Sequence, residues 1–84
     1  MATQEEFQAA VDRVQQLSQR PSNEDLLALY GLFKQATAGD VSGKRPGMFD
    51  LKGRAKWDAW KAREGTSADD ARAAYVALVD RLAG

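Results

Sequence analysis

Apolar residues recur three and four positions apart along almost the whole chain, the spacing of one helical face. No stretch alternates with the period of two that a half-buried strand requires. Thr3 followed by Glu6 has the spacing of a capping box, whose side chains satisfy the first free amides. Phe7, Val11, Val14 and Leu17 then follow at helical spacing until Pro21 stops the run. Ser22, with Asp25 three residues on, opens a second helix. It carries Leu26, Tyr30, Phe33 and Thr37 along one line, with Leu27 and Leu29 beside it. Gly39 suits the left-handed position just past the end of that helix. Residues 39–48 contain Gly39, Gly43, Pro46 and Gly47 and read as a loop. A third helix over about 51–64 sets Lys52 and Lys56 one turn apart, with Trp57 and Trp60 alongside, and Gly65 closes it. Thr66 or Ser67 caps a fourth helix, where Asp69 and Asp70 meet its positive end and Ala71, Tyr75, Leu78 and Leu82 form the buried stripe. The pattern predicts an all-α fold, a bundle of four helices.

At 84 residues the chain has room for a single core and a single domain. It contains neither Cys nor His, so it has no disulfide and no zinc site of the Cys/His kind, and its fold is indifferent to redox compartment. No segment has the length of apolar sequence that a membrane span needs. The start, Met1-Ala2-Thr3-Gln4-Glu5-Glu6, lacks the basic opening and apolar stretch of a signal peptide, and a cytoplasmic location is expected. Formal net charge is zero, which argues against bulk attraction to nucleic acid or anionic membranes. The distribution is uneven, however. Residues 41–63 hold seven basic side chains against Asp50 and Asp58, a net +5, so the remainder of this neutral chain carries −5. A local basic patch in a neutral protein suits a compact anionic ligand better than a long polyanion.

Little catalytic chemistry is on offer. Nucleophilic catalysis usually pairs Ser or Cys with a His base, and no Gly-x-Ser-x-Gly is present. Most carboxylates sit at helix starts or among basic residues, as caps and solvated faces. Asp40 and Asp50 flank the long loop, yet no further oxygen ligands stand near them at a recognised spacing. Ser42-Gly43-Lys44 imitates the end of a phosphate-binding P-loop. Ala38 stands where that motif needs its first Gly, Arg45 replaces Ser or Thr, and a helix precedes it instead of a strand. No catalytic residue, cofactor or metal site is expected, and the chain does not read as an enzyme.

Aromatic residues at helical spacing are most often core, and Phe7, Trp57, Trp60 and Tyr75 fit that description. Trp57 and Trp60, three apart on one broad face, predict at least one structural indole. Tyr30, Phe33 and Lys34 lie on adjacent turns, joining a phenol, a ring and an ammonium in one patch. Lys52 and Lys56 make a second cationic stripe on the next helix. A ring with several cations nearby is what an adenine nucleotide needs: stacking for the base and charge-assisted hydrogen bonds for phosphate.

The run Tyr30-Gly31-Leu32-Phe33-Lys34-Gln35-Ala36-Thr37-Ala38-Gly39-Asp40 closely resembles the acyl-CoA-binding protein family. So do Arg45-Pro46-Gly47-Met48-Phe49-Asp50 and Lys52-Gly53-Arg54-Ala55-Lys56-Trp57-Asp58-Ala59-Trp60, and the likeness spans about 7–82. The resemblance implies that residues 1–84 form one acyl-CoA-binding domain, a monomeric four-helix bundle holding one long-chain acyl-CoA in a surface groove. It also implies the role of an intracellular acyl-CoA carrier and pool former. Tyr30, Lys34 and Lys56 match residues the family uses around the 3′-phosphate, and Phe33 falls where a Tyr usually stacks near adenine. Lys52 matches a further ligand-contacting lysine, and Tyr75 a tyrosine that touches CoA. The implied contact set is Tyr30, Gly31, Leu32, Phe33, Lys34, Lys52, Lys56 and Tyr75, with Leu26 and Leu27 lining the path of the acyl chain. Two departures bear on affinity: Phe33 lacks the hydroxyl, and Gln15 stands where many members carry a basic residue.

The residues read alone agree, because cations, a ring and an apolar strip suit an amphiphile with an anionic head. Fatty acyl-CoA is the expected partner, with transient contacts to enzymes that use it, no nucleic acid and no stable membrane insertion. A helical nucleic-acid binder would also use lysines and aromatics, but neutral net charge and the lack of a clear recognition helix oppose it. A protein-interaction module stays open. An acyl-CoA hydrolase would need a nucleophile–base pair that this composition does not offer.

Overall fold

A computed structural model describes residues 2–84. Among them are four helices and no strand: α1 (Gln4–Val14), α2 (Asn23–Ala38), α3 (Leu51–Lys61) and α4 (Ala68–Ala83). The capping signals are realised. Thr3 and Glu6 form the reciprocal box, and the hydroxyls of Ser22 and Ser67 accept the amides of Asp25 and Asp70. Ser67, and not Thr66, caps α4. The Asp50 carboxylate caps α3 by accepting the Gly53 amide at 2.9 Å.

Two helices end earlier than their apolar spacing implies. Beyond Val14 the amides of Gln15 and Gln16 reach back only three residues, to Asp12 and Arg13, and the last turn tightens. Leu17 therefore leaves the helical line and enters a loop. The same tightening after Lys61 turns residues 62–65 toward Gly65, whose φ of 89° lets the chain reverse. Gly39 also has positive φ, but its ψ of −152° lies outside the left-handed helical region, so α2 ends without the expected motif.

Contact partners set the topology. Phe7–Tyr75 and Arg13–Asp80 ascend together along α1 and α4, so these two run in one sense. Asp25–Arg81 and Phe33–Tyr75 ascend on α2 while descending on α4, which makes that pair antiparallel. Tyr30–Lys56 and Lys34–Trp60 ascend together, so α2 and α3 are parallel, and the loop over 39–50 must cross back along the molecule. The helices pack in the spatial order α1, α4, α2, α3. The Cα trace spans 36 × 28 × 15 Å. Each of the four helices keeps a face in water. Such a body forms grooves more readily than enclosed cavities.

Phe7, Ala10, Leu29, Leu32, Tyr75 and Val79 make the buried core. On α4 the most buried line is Ala71, Tyr75 and Val79, while Leu78 and Leu82, expected on the stripe, pack half-buried at its edge. Trp60 is the structural indole; its Nε1–H donates to the Gly39 carbonyl at 2.7 Å and ties the loop to α3. Gly31 faces the backbone of Ala59 so closely that any Cβ would collide with its carbonyl. Glycine there sets how near α2 and α3 can lie.

Among the described residues Gln35 is the one polar side chain in the buried set, 2% exposed. Its amide donates to Asp40 Oδ1 at 2.9 Å and to the Thr66 carbonyl at 2.8 Å, while Asp40 also accepts the Gly65 amide at 2.8 Å. This network fastens the end of α2 to the turn before α4. The Gly65 amide first, and Gln35 second, hold the Asp40 carboxyl below its ordinary value. A lowered carboxyl stabilises the fold fully above its unfolded value, near 3.9, and that contribution is lost as pH falls through the lower folded value. The Arg45 guanidinium lowers Asp58 in the same direction. Thermal midpoints should therefore be flat near neutrality and drop below about pH 4. Asp40→Asn should start lower and show a shallower acid decline. An equal acid slope in both proteins would mean that Asp40 has no part in it.

Candidate functional site

Two open clefts meet on the exposed flank of α2. The first, about 520 Å³, lies between the loop after α1, α2 and α4. Val14, Leu17, Pro21, Leu26 and Leu29 give it apolar walls, and Tyr30, Phe33 and Tyr75 give it three rings. The second, about 460 Å³, runs between α2 and α3 and is walled by Leu26, Leu27, Leu51 and Ala55, with Lys52 and Lys56 at its rim. Arg20 and Leu26 belong to both, so the clefts adjoin at these side chains. Each lies within the ~300–1,000 Å³ range of small-molecule sites.

The helical register explains the assembly. Leu26, Tyr30 and Phe33 follow one another along the α2 stripe, and Leu51 and Ala55 are one turn apart on α3. Phe33 is half a core residue: its ring stacks on Phe7 at 5.9 Å and tilts against Tyr75 at 6.4 Å, yet 37% of it faces solvent. Its inner edge is anchored and its outer face is free. Burial pushes the Tyr75 phenol above its ordinary value, so it remains a neutral hydroxyl at physiological pH.

The cations rest on rings across the α2–α3 seam. Lys56 Nζ, on α3, sits 5.5 Å from the Tyr30 ring centre, and Lys34 Nζ, on α2, sits 4.8 Å from that of Trp60. Tyr30 with Lys34, and Lys56 with Trp60, are each one turn apart, so the four side chains form a crosswise set over the seam. Among the described residues Arg20, Lys34, Lys52 and Lys56 enter no ion pair, whereas Arg13, Arg45, Lys61, Arg72 and Arg81 do. The positive charge around the clefts is not neutralised by neighbouring carboxylates. Ring quadrupoles hold Lys34 and Lys56 in place instead.

Most residues singled out from sequence converge here, with three exceptions. Leu32 is 4% exposed in the core, and Gly31 is buried at the helix contact. Neither is among the residues that line the two clefts. Lys34 is beside the clefts, over Trp60, and does not wall them. Sequence reasoning missed Arg20, Leu51 and Ala55. The one-turn spacing of Leu51 and Ala55 beside Lys52 and Lys56 was a usable signal. Arg20 had none, because it sits in a loop whose course only packing decides.

Parallel α2 and α3, a flat four-helix body and a cation-rimmed surface groove define a class of small all-α domains whose site is open instead of enclosed. A family profile described as "Acyl CoA binding protein" matches residues 4–79. The chain is 55% identical over 82 residues to an acyl-CoA-binding protein of Brassica napus, covering 98% of this chain and 89% of that one. It is 55% identical over 76 residues to an acyl-CoA-binding protein homolog of Caenorhabditis elegans, covering 90% and 88%. The crystal structure of Oryza sativa acyl-CoA-binding protein 2 superposes with a TM-score of 0.90 at 53% identity, over 94% of this chain and 88% of that one. The chain belongs to the acyl-CoA-binding protein family.

Proposed function

We infer that this protein binds long-chain fatty acyl-CoA thioesters in the paired clefts and serves as a carrier and pool former for them. The observation that carries the reading is the junction of the two clefts, where unpaired cations and exposed rings adjoin an apolar trough. Adenine goes against the outer face of Phe33 in the first cleft. The 3′-phosphate goes to the seam at Tyr30, Lys34 and Lys56. The acyl chain lies along Leu26, Leu27 and Ala55 in the second cleft, below Lys52. Each CH₂ taken from water contributes about 0.8 kcal/mol before the cost of ordering the chain. Charge and stacking at the head then select CoA over other lipids. Residues 1–84 act as one domain in this reading, and one ligand occupies both clefts. Without Cys or His, thioester cleavage has no ordinary nucleophile–base pair, so binding proceeds without turnover.

Calorimetry with palmitoyl-CoA, CoA and palmitate tests the reading. Palmitoyl-CoA should bind far more tightly than either half alone, with one ligand per chain. Equal affinity for palmitate and palmitoyl-CoA would sink it, because the cations and rings would then add nothing.

A further inference from the structure

Three large apolar side chains stand in water together. Phe49 is fully exposed, and Met48 and Leu51 are 73% and 74% exposed. They do not sit on a loose strand. The Asp50 amide donates to the Gly47 carbonyl at 3.0 Å, closing a turn with Met48 and Phe49 at its two central positions. The Asp50 carbonyl accepts the Arg54 amide at 2.9 Å, and its carboxylate caps the same helix, so the turn is continuous with α3. Upstream, Arg45 grips Asp58 through two hydrogen bonds of 2.9 and 2.7 Å. The tip is held at both ends with its apolar groups outward.

Its surroundings are cationic. Residues 41–58 contain five basic side chains and two carboxylates. Asp50 is engaged as the helix cap and Asp58 pairs with Arg45, which leaves Lys44, Lys52, Arg54 and Lys56 outside any ion pair among the described residues. Lys44 and Lys52 flank the tip, both exposed and neither in an ion pair among the described residues. An apolar point with a positive collar is complementary to a bilayer carrying anionic headgroups. A protein partner is the poorer fit. Three side chains on a convex turn supply well under the ~800 Å² per partner of a standard protein interface, whereas a bilayer needs no shaped counterpart.

We propose that Met48, Phe49 and Leu51 form a membrane-docking tip that inserts peripherally into an anionic bilayer, with Lys44 and Lys52 on the headgroups. Leu51 is shared between the tip and the wall of the α2–α3 cleft, so docking brings the mouth of that cleft to the lipid surface. The docking does not depend on the ligand reading, and the ligand-free protein tests it.

Sedimentation with extruded vesicles, of phosphatidylcholine alone and of an equimolar phosphatidylcholine–phosphatidylserine mixture, measures the partition. The wild-type chain should bind the mixed vesicles more strongly, and added salt should weaken that binding. Phe49→Ser should lower partition about tenfold or more. Lys44→Gln should lower it roughly fivefold on the mixed vesicles only. Phe49 lines neither cleft, so Phe49→Ser should keep its helical circular dichroism and its palmitoyl-CoA affinity in solution. Equal partition of wild type and Phe49→Ser, or no preference for the anionic mixture, overturns the proposal. So does concentration-dependent self-association in sedimentation velocity that Phe49→Ser abolishes, which would make the tip a contact between copies.

Discussion

Replacing either Lys34 or Lys56 with Ala should weaken palmitoyl-CoA binding about ten- to a hundred-fold. The magnitude follows from a hydrogen bond to a charged group, roughly 1.5–3 kcal/mol, converted at about 1.4 kcal/mol per decade. Each ammonium approaches the ring of the opposite helix, and neither has a carboxylate partner among the described residues. A phosphate over the seam would exchange two ring contacts for two charge-assisted bonds without separating any existing ion pair. The loss should shrink sharply with 3′-dephospho palmitoyl-CoA, which leaves the lysines nothing to hold. Titrating wild type and both variants with the two ligands checks this. Equal losses for both ligands would remove the 3′-phosphate from the seam while leaving the site itself intact. No loss with either would make both lysines plain surface cations.

Phe7→Ala should be the most damaging single change to the fold, and its contrast with Phe33→Ala separates core from site. Phe7 is 2% exposed and meets Tyr75 edge-on at 5.1 Å and Phe33 at 5.9 Å. Truncating a buried Phe costs about 3–5 kcal/mol. At roughly 0.05–0.15 kcal/mol per residue, the whole domain holds only about 4–13 kcal/mol. In a domain of this size each kcal/mol moves the midpoint by about 4–8 °C. Phe7→Ala should therefore lie near the edge of folding, with its ligand affinity recovered in whatever fraction folds. Phe33→Ala should cost less stability but about 1–3 kcal/mol of binding, the value of a base–ring stack. Phe33→Tyr should be tolerated, because the exposed outer face has room for a hydroxyl. Thermal melts and calorimetry on the same three proteins decide the matter. A Phe33→Ala protein that loses stability yet keeps full affinity would show that its ring is only core.

The proposed docking tip and the α2–α3 cleft share Leu51, yet the two predictions in this region have different signatures. Changes at Lys34 or Lys56 should act on ligand affinity in solution. Changes at Phe49 should act on lipid partition alone.

Much of this protein was legible in its sequence because its determinants are local. Capping at Thr3, Ser22 and Ser67 depends on residues within a single turn, and the apolar stripes place the helices by periodicity; the Asp50 cap of α3 went unread. Tyr30, Phe33, Lys52 and Lys56 share helix faces at fixed spacing, so their grouping could be read before their partners were known. Helix ends were less legible. Leu17 continues the helical spacing, but the tightened last turn takes it out of α1 and it lines the first cleft. Other features depended on which helices become neighbours. Leu32 and Gly31 stand between Tyr30 and Phe33 in sequence, yet one faces the core and the other the backbone of Ala59. A helix directs adjacent residues about 100° apart, and only the packing order α1, α4, α2, α3 decides which direction meets protein and which meets water. The same order brings Lys34 onto Trp60, Lys56 onto Tyr30 and the loop residue Arg20 between two clefts. The sequence by itself determined the helices and the chemistry on each face, since those follow from contacts within a few residues. The tertiary structure alone decided where the faces meet, because that depends on burying all four apolar stripes at once against one another.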